Sequence, residues 1–74
     1  MVKTIYSKEQ GFLVERLKKA RLEADLDQAA AAKLLKKSQS YISKIESGQR
    51  RVDVIQLKKF ADIYNKDLNY FLKK

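Results

Sequence analysis

QAAAAKLLKKSQSYISKIESG, running from Gln28 to Gly48, is the stretch on which the fold turns. It holds two short helix patterns separated by a three-residue break. Gln28 to about Leu35 is built around the run Ala29 to Ala32, which favours helix intrinsically and lets a second helix approach closely. Lys36-Lys37-Ser38 interrupts that pattern, and Ser38 suits the N-cap of the helix that follows. The second helix carries Ile42 and Ile45 inward and is expected to end at Gly48, because glycine takes the left-handed C′ conformation at little cost. Two helices joined this tightly cross steeply only where the residue at the contact is small. Ala32 is placed at that contact, with Ala31, Leu35, Ile42 and Ile45 filling the space around it. At 100° per residue from Ile42, the positions Ile45, Ser38 and Gln49 share the inward side. Ser40, Lys44 and Ser47 point outward, and Ser43 and Tyr41 lie at the flanks. The outward face is therefore short, polar and basic, a set of groups that base edges and phosphates in a major groove can accept.

Working outward, residues 1–6 (MVKTIY) precede any helix signal and read as an extended arm. Ser7 and Gln10 have capping-box spacing, and the first helix runs from there to about Ala24 with Leu13, Leu17, Ala20 and Ala24 on one stripe. Asp27 suits the N-cap of the Gln28 helix. Beyond Gly48, Asp53 caps a fourth helix through about Tyr64, whose expected buried side is Val54, Leu57, Phe60, Ala61 and Tyr64. Asn65 terminates it, and Asp67 caps a last short helix, Leu68 to Leu72. The expectation is an all-α, compact five-helix bundle forming one domain over residues 1–74, with the helix-turn-helix at about 28–47. Phe12, Phe60 and Phe71 belong to the core by default. Tyr6, Tyr41, Tyr64 and Tyr70 read as packing residues, since they form no aromatic array for single strands, although Tyr41 sits at the edge of the reading face.

Composition narrows the function classes. The 74 residues contain no cysteine, no histidine, no proline and two glycines, and 45% are hydrophobic. Disulfides, thiolate nucleophiles and nearly every transition-metal site are thereby removed, so neither a cofactor nor a metal is expected. A reduced, cytoplasmic setting fits. No run approaches the roughly 18 apolar residues of a membrane span, and the N-terminus lacks the continuous apolar stretch of a signal peptide. The five serines have no histidine partner, the carboxylates do not cluster on a helical face, and no glycine-rich phosphate loop is present. An enzyme is not expected. The net charge is +8, and between Lys33 and Arg51 six basic residues (Lys33, Lys36, Lys37, Lys44, Arg50, Arg51) face the single acid Glu46. An anionic polymer is the natural partner for such a concentration of charge, generic solubility charge being the bland alternative.

The segments Gln28–Ala32, Leu35 and above all Ser38–Gly48 resemble the lambda-repressor-like (XRE-type) helix-turn-helix family. Arg50-Arg-Val-Asp-Val54 is similar to a variant among its short stand-alone members, and the resemblance spans about residues 11–72. It implies a five-helix bundle whose third helix enters the major groove of double-stranded DNA. It further implies that Gln28 anchors to a phosphate, that Gln39 and Ser40 reach bases with Lys44 one turn on, and that Ser43, Ser47, Gln49 and Arg50 touch the backbone. Lys37, Ser38 and Tyr41 complete the candidate contact set. Arg21 and Glu46 match a paired position, a salt bridge between the first and third helices. Two departures stand out. Lys36 occupies the turn position usually held by glycine, so either the turn differs or strain is tolerated there, and Lys37 follows where an apolar residue is usual. Ala31 also replaces the usual leucine.

The resemblance suggests a prokaryotic or phage transcriptional regulator, a repressor that binds as a homodimer on an inverted repeat. The candidate dimer contact is Ile55, Ile63, Tyr70 and Phe71; for Ile55 and Ile63 the alternative is leftover surface hydrophobes. A protein-interaction or antitoxin-type module, whose DNA binding serves autoregulation, is the competing class. A lipid-surface role is disfavoured because the third helix exposes no bulky apolar face.

Overall fold

The computed structural model describes residues 8–72, so the arm at 1–6 and the Ser7 cap lie outside the described residues. Five helices follow one another: α1 (Lys8–Glu23), α2 (Gln28–Leu35), α3 (Gln39–Glu46), α4 (Val54–Tyr64) and α5 (Leu68–Leu72). No strand occurs among the described residues. The starts are set by acceptor side chains. Asp27, Ser38 and Asp53 are extended at the N-cap of α2, α3 and α4, and accept from the backbone N–H of Ala30, Tyr41 and Gln56 at 2.7, 3.2 and 2.8 Å. Each bond satisfies one of the amides that a helix start leaves without a partner. Asp67 accepts from Asn69 N–H at 3.2 Å ahead of α5.

The helix ends share one device. A residue in left-handed geometry follows each of the first four helices: Asp25 (φ 62°), Lys36 (φ 59°), Gly48 (φ 82°) and Asn65 (φ 58°). Paired backbone bonds then close the last turn. Lys37 N–H donates to Ala32 O at 2.9 Å and Lys36 N–H to Lys33 O at 3.2 Å, and the same pattern recurs at Leu26, Gln49 and Lys66. Glycine adopts this geometry freely, and aspartate or asparagine tolerates it through local hydrogen bonding. Lys36 has no such help. The turn between α2 and α3 thus keeps the left-handed form with a lysine in it, and the strain is borne rather than avoided.

The core comprises Leu17 and Ala20 of α1, Ala31 and Ala32 of α2, Ile42 and Ile45 of α3, Leu57, Phe60, Ala61 and Tyr64 of α4, and Phe71 of α5. α1 packs on α3, α4 and α5, while α2 lies against α3 and α4. The alanines of α2 let α3 settle directly on its backbone. Ile42 and Ile45 are completely enclosed, which stabilises α3 by roughly 1.5–3 kcal/mol for each side chain.

Several expected placements differ. Val54 is 63% exposed. It is the first residue of α4, and side chains lean toward a helix's N-terminus, so Val54 projects past the edge of the bundle. Ser38 and Gln49 are exposed rather than inward. Both lie outside α3, where helical spacing no longer governs direction. The buried seam of α1 is Val14, Leu17, Ala20 and Arg21, with Leu13 and Ala24 only partly covered. Phe12 is half-buried, and the Arg16 guanidinium lies 4.8 Å over its ring and 4.7 Å over that of Tyr70. Tyr70 also carries the Lys66 ammonium at 4.7 Å and meets Phe71 edge-on at 5.2 Å. Phe71, expected both in the core and at a dimer contact, is 1% exposed: it belongs to the core and leaves no apolar surface for a second copy. Tyr70 is capped by cations and offers little open face.

A buried charged residue, Arg21, sits beside this core. The Arg21 guanidinium donates from Nε to Glu46 Oε2 at 2.7 Å and from Nη2 to Oε1 at 3.1 Å, a forked pair, and from Nη1 to the carbonyl of Leu26 at 2.9 Å. The two side chains retain 8% and 6% of their exposure. The Glu46 hydrogen bond raises the Arg21 pKa, against the opposing effect of burial. The pair ties α3 to α1 and to the loop before α2.

Two measurements test these interactions. Glu46→Ala leaves a desolvated guanidinium and is expected to lower unfolding free energy by roughly 3–5 kcal/mol, with much of it recovered when Arg21 and Glu46 are replaced together by apolar residues. A loss below 1 kcal/mol in urea titration would contradict a buried role. Lys36→Gly should act in the opposite direction and stabilise by about 0.5–1 kcal/mol, since relief of left-handed strain exceeds the added flexibility of the unfolded chain. An unchanged or lower denaturation midpoint would show the turn to be unstrained.

Candidate nucleic-acid interface

The surface formed by α3 and its two flanking turns gathers the polar and basic residues singled out above. Because Ile42 and Ile45 take the inward side, Gln39, Ser40, Ser43 and Lys44 are all exposed on the remaining faces. Two of the helix's serine neighbours are committed to its ends. The Ser38 hydroxyl oxygen accepts from Tyr41 N–H, and Ser47 Oγ donates to the carbonyl of Lys44 at 3.1 Å. Each keeps only part of its hydrogen-bonding capacity for an outside partner.

Gln28 opens α2 and is half-buried; its amide nitrogen donates to Glu46 Oε1 at 3.1 Å. Glu46 thus receives three hydrogen bonds from two side chains. For Gln28 the consequence is orientation: one amide N–H is spent on Glu46, which fixes the plane of the group and directs the other N–H. The start of α2 and the end of α3 are thereby joined through a single carboxylate.

Tyr41 is the residue whose setting the sequence least foretold. Its ring lies parallel to Phe60, 6.4 Å between centroids and 2° between planes, and its hydroxyl reaches Gln56 Oε1 at 3.3 Å. The Lys37 ammonium stands 5.3 Å and the Arg50 guanidinium 5.0 Å from the ring centre. Partial burial raises the Tyr41 pKa, and the Arg50 charge works against that rise. Gln56 is a supporting residue that sequence reasoning missed. No local signal marks it, because it approaches Tyr41 from α4 across the intervening loop.

The basic cluster is smaller than the sequence window implied. Lys33, Lys37, Lys44 and Arg50 are exposed, while Lys36, also exposed, borders a groove with Leu34, Leu35, Lys59, Asp62 and Ile63 on the α4 side. Arg51 is exposed too, but it lines a groove with Glu9, Gln10, Phe12, Leu13, Phe71 and Leu72, on the α1–α5 side of the molecule. Adjacent residues in an extended loop point to opposite sides, and Arg50 and Arg51 divide in this way. Among the described residues there is no group of three or more metal-ligating side chains, and no helix is long and apolar enough to cross a membrane.

A family model described as helix-turn-helix matches residues 17–71, about three quarters of the chain. The comparison with curated proteins found no match. The matched span begins in the buried seam of α1, takes in the whole of α2, α3 and α4, and closes on Phe71. With the α2–turn–α3 geometry and the exposed polar face of α3, it shows that the chain belongs to the lambda-repressor-like (XRE-type) helix-turn-helix family of DNA-binding regulators.

Proposed function

We propose that this protein is a sequence-specific transcriptional repressor that inserts α3 into the major groove of double-stranded DNA, acting as one half of a symmetric homodimer. The observation that carries this reading is the outward face of α3. Eight residues span about 12 Å at the helical rise, comparable to the width of the major groove. Gln39, Ser40, Ser43 and Lys44 present an amide, hydroxyls and an ammonium there, with no bulky apolar side chain between them. Gln39 and Ser40, in the first turn, are the base-reading residues of the proposal, with Lys44 one turn on. Gln28, Lys37, Ser43, Ser47, Gln49 and Arg50 serve the sugar–phosphate backbone. Selection of bound duplexes from a random pool tests the proposal and returns the half-site and its spacing together. Recovery of no enriched sequence would reject sequence-specific reading.

The dimer rests on energetics. Single base contacts discriminate by roughly 1–3 kcal/mol each, and one short helix makes few of them. Two-fold symmetry doubles the contacts and sets half-sites about 10 bp apart. With Phe71 enclosed and Tyr70 capped, Ile55 is the most open of the four candidate contact residues, 67% exposed beside the similarly open Val54 at the start of α4, and this is the apolar surface proposed for a second copy. Ile63 is half-buried against the core and contributes less.

If four to six phosphates are neutralised per subunit, log K falls against log salt with a slope of roughly −4 to −5. Arg50→Ala should flatten that slope without altering base preference, whereas Gln39→Ala or Lys44→Ala should change the selected sequence. A slope near zero for the parent protein is incompatible with this model. Stoichiometry on a selected operator tests the second element: cooperative binding of two chains, weakened at least tenfold by Ile55→Lys, is expected. Full affinity of one chain on an isolated half-site would remove the dimer from the proposal.

A further inference from the structure

The Tyr41 ring collects two cations that are 13 positions apart in the chain. Lys37 comes from the turn before α3 and Arg50 from the loop after it, and both lie within 5.3 Å of the same ring centre. Like charges brought together repel unless something offsets them. Among the described residues neither side chain forms an ion pair; the pairs present are Arg21–Glu46 and Lys66–Glu23. The negative face of the ring offsets part of that repulsion, and the Asp53 carboxylate acts on the same site from a distance. That ring is itself fixed from behind, stacked on the enclosed Phe60 and tethered through its hydroxyl to Gln56.

We propose that Tyr41 is a positioning residue for DNA-backbone binding, whose ring holds the Lys37 ammonium and the Arg50 guanidinium together as a two-cation clamp for phosphate oxygens. This rests on the reading of α3 as a major-groove helix and adds to it how the phosphates beside the first turn are gripped. A compact ammonium and a planar guanidinium fork are complementary donors for a phosphodiester, one as a point charge and the other as a paired donor. The clamp stands next to Gln39 and Ser40 in sequence and against α3 in space, so the phosphates it takes are those flanking the bases these residues reach. Long cationic side chains otherwise lose considerable rotamer freedom on binding. Resting on the ring beforehand reduces that loss. The device also accounts for Lys37 standing where the family usually has an apolar residue: its ammonium meets the ring face while the residue stays exposed.

The test compares Tyr41→Phe, which keeps the ring, with Tyr41→Leu, which keeps apolar cover on Phe60 but removes the ring. Duplex affinity is measured over a range of salt, using a selected operator and a random duplex. Tyr41→Phe is expected within about threefold of the parent. Tyr41→Leu should bind both duplexes about tenfold more weakly near 0.1 M salt, with the salt slope reduced in magnitude by roughly 1–2. Adding Lys37→Gln and Arg50→Gln to Tyr41→Leu should then cost little more. In the free parent, proton NMR should place the Lys37 ε and Arg50 δ methylene protons upfield through the ring current. A folded Tyr41→Leu protein with the parent's affinity and slope overturns the proposal while leaving the function itself standing; failure of the parent to bind any duplex removes both. Where Tyr41→Leu does not fold, Lys37→Gln and Arg50→Gln decide in the parent background: coupled losses support the clamp, and strictly additive losses overturn it.

Discussion

A carboxylate taken out of water must be met by donors, and the end of α3 depends on how Glu46 is met. Arg21 supplies two of its hydrogen bonds from α1 and Gln28 supplies the third from the start of α2. The same guanidinium spends its remaining nitrogen on the Leu26 carbonyl in the intervening loop. Three helices and one turn are thus referred to one ion pair. Apolar contacts alone set how close α3 lies to α2, but they leave it able to slide or rotate. The directional bonds at Glu46 take that freedom away, and they do so at the edge of the surface proposed to meet DNA.

The second constraint is brevity. Helices of eight residues are too short to persist alone, and here each is closed at both ends by side-chain caps and left-handed turns. Three of the four left-handed positions are not glycine, so the chain accepts local strain in return for short connections. At Lys36 that strain falls on an exposed charge facing the α4 side of the turn. A glycine would relax the turn and remove a charge from that face, and the residue present balances those demands differently from Gly48, where the same geometry is met without strain.

The extent to which all this was legible in the sequence follows the range of the interactions. Asp27, Ser38, Asp53, Gly48 and Asn65 could be assigned because caps are made by residues three or four apart. The inward pointing of Ile42 and Ile45 followed from helical spacing, and so did the exposure of Ser40 and Lys44. The same spacing misplaced Ser38 and Gln49 because it was carried past the helix ends. Val54 was misjudged through its position at a first turn; Phe71 was assigned both to the core and to a dimer contact, and only the coverage of α5 by α1, a tertiary fact, decides for the core. Tyr41 was legible only as a flank residue. Its stacking on Phe60, its bond to Gln56 and its two cations come from α4, from the turn before α3 and from the loop after it, and no local pattern encodes their meeting.

The alanine seam of α2 has a consequence for how such a protein changes its target over evolutionary time. Alanine has no side-chain torsion to readjust, so once the bonds at Glu46 fix the angle, the elbow between α2 and α3 has no side-chain repacking through which to drift. The residues facing outward from α3 take no part in that contact. On the proposed reading Gln39, Ser40 and Lys44 are therefore interchangeable parts on a fixed mount: drift at these three positions would redirect the helix to new sequences while the angle of presentation is inherited unchanged.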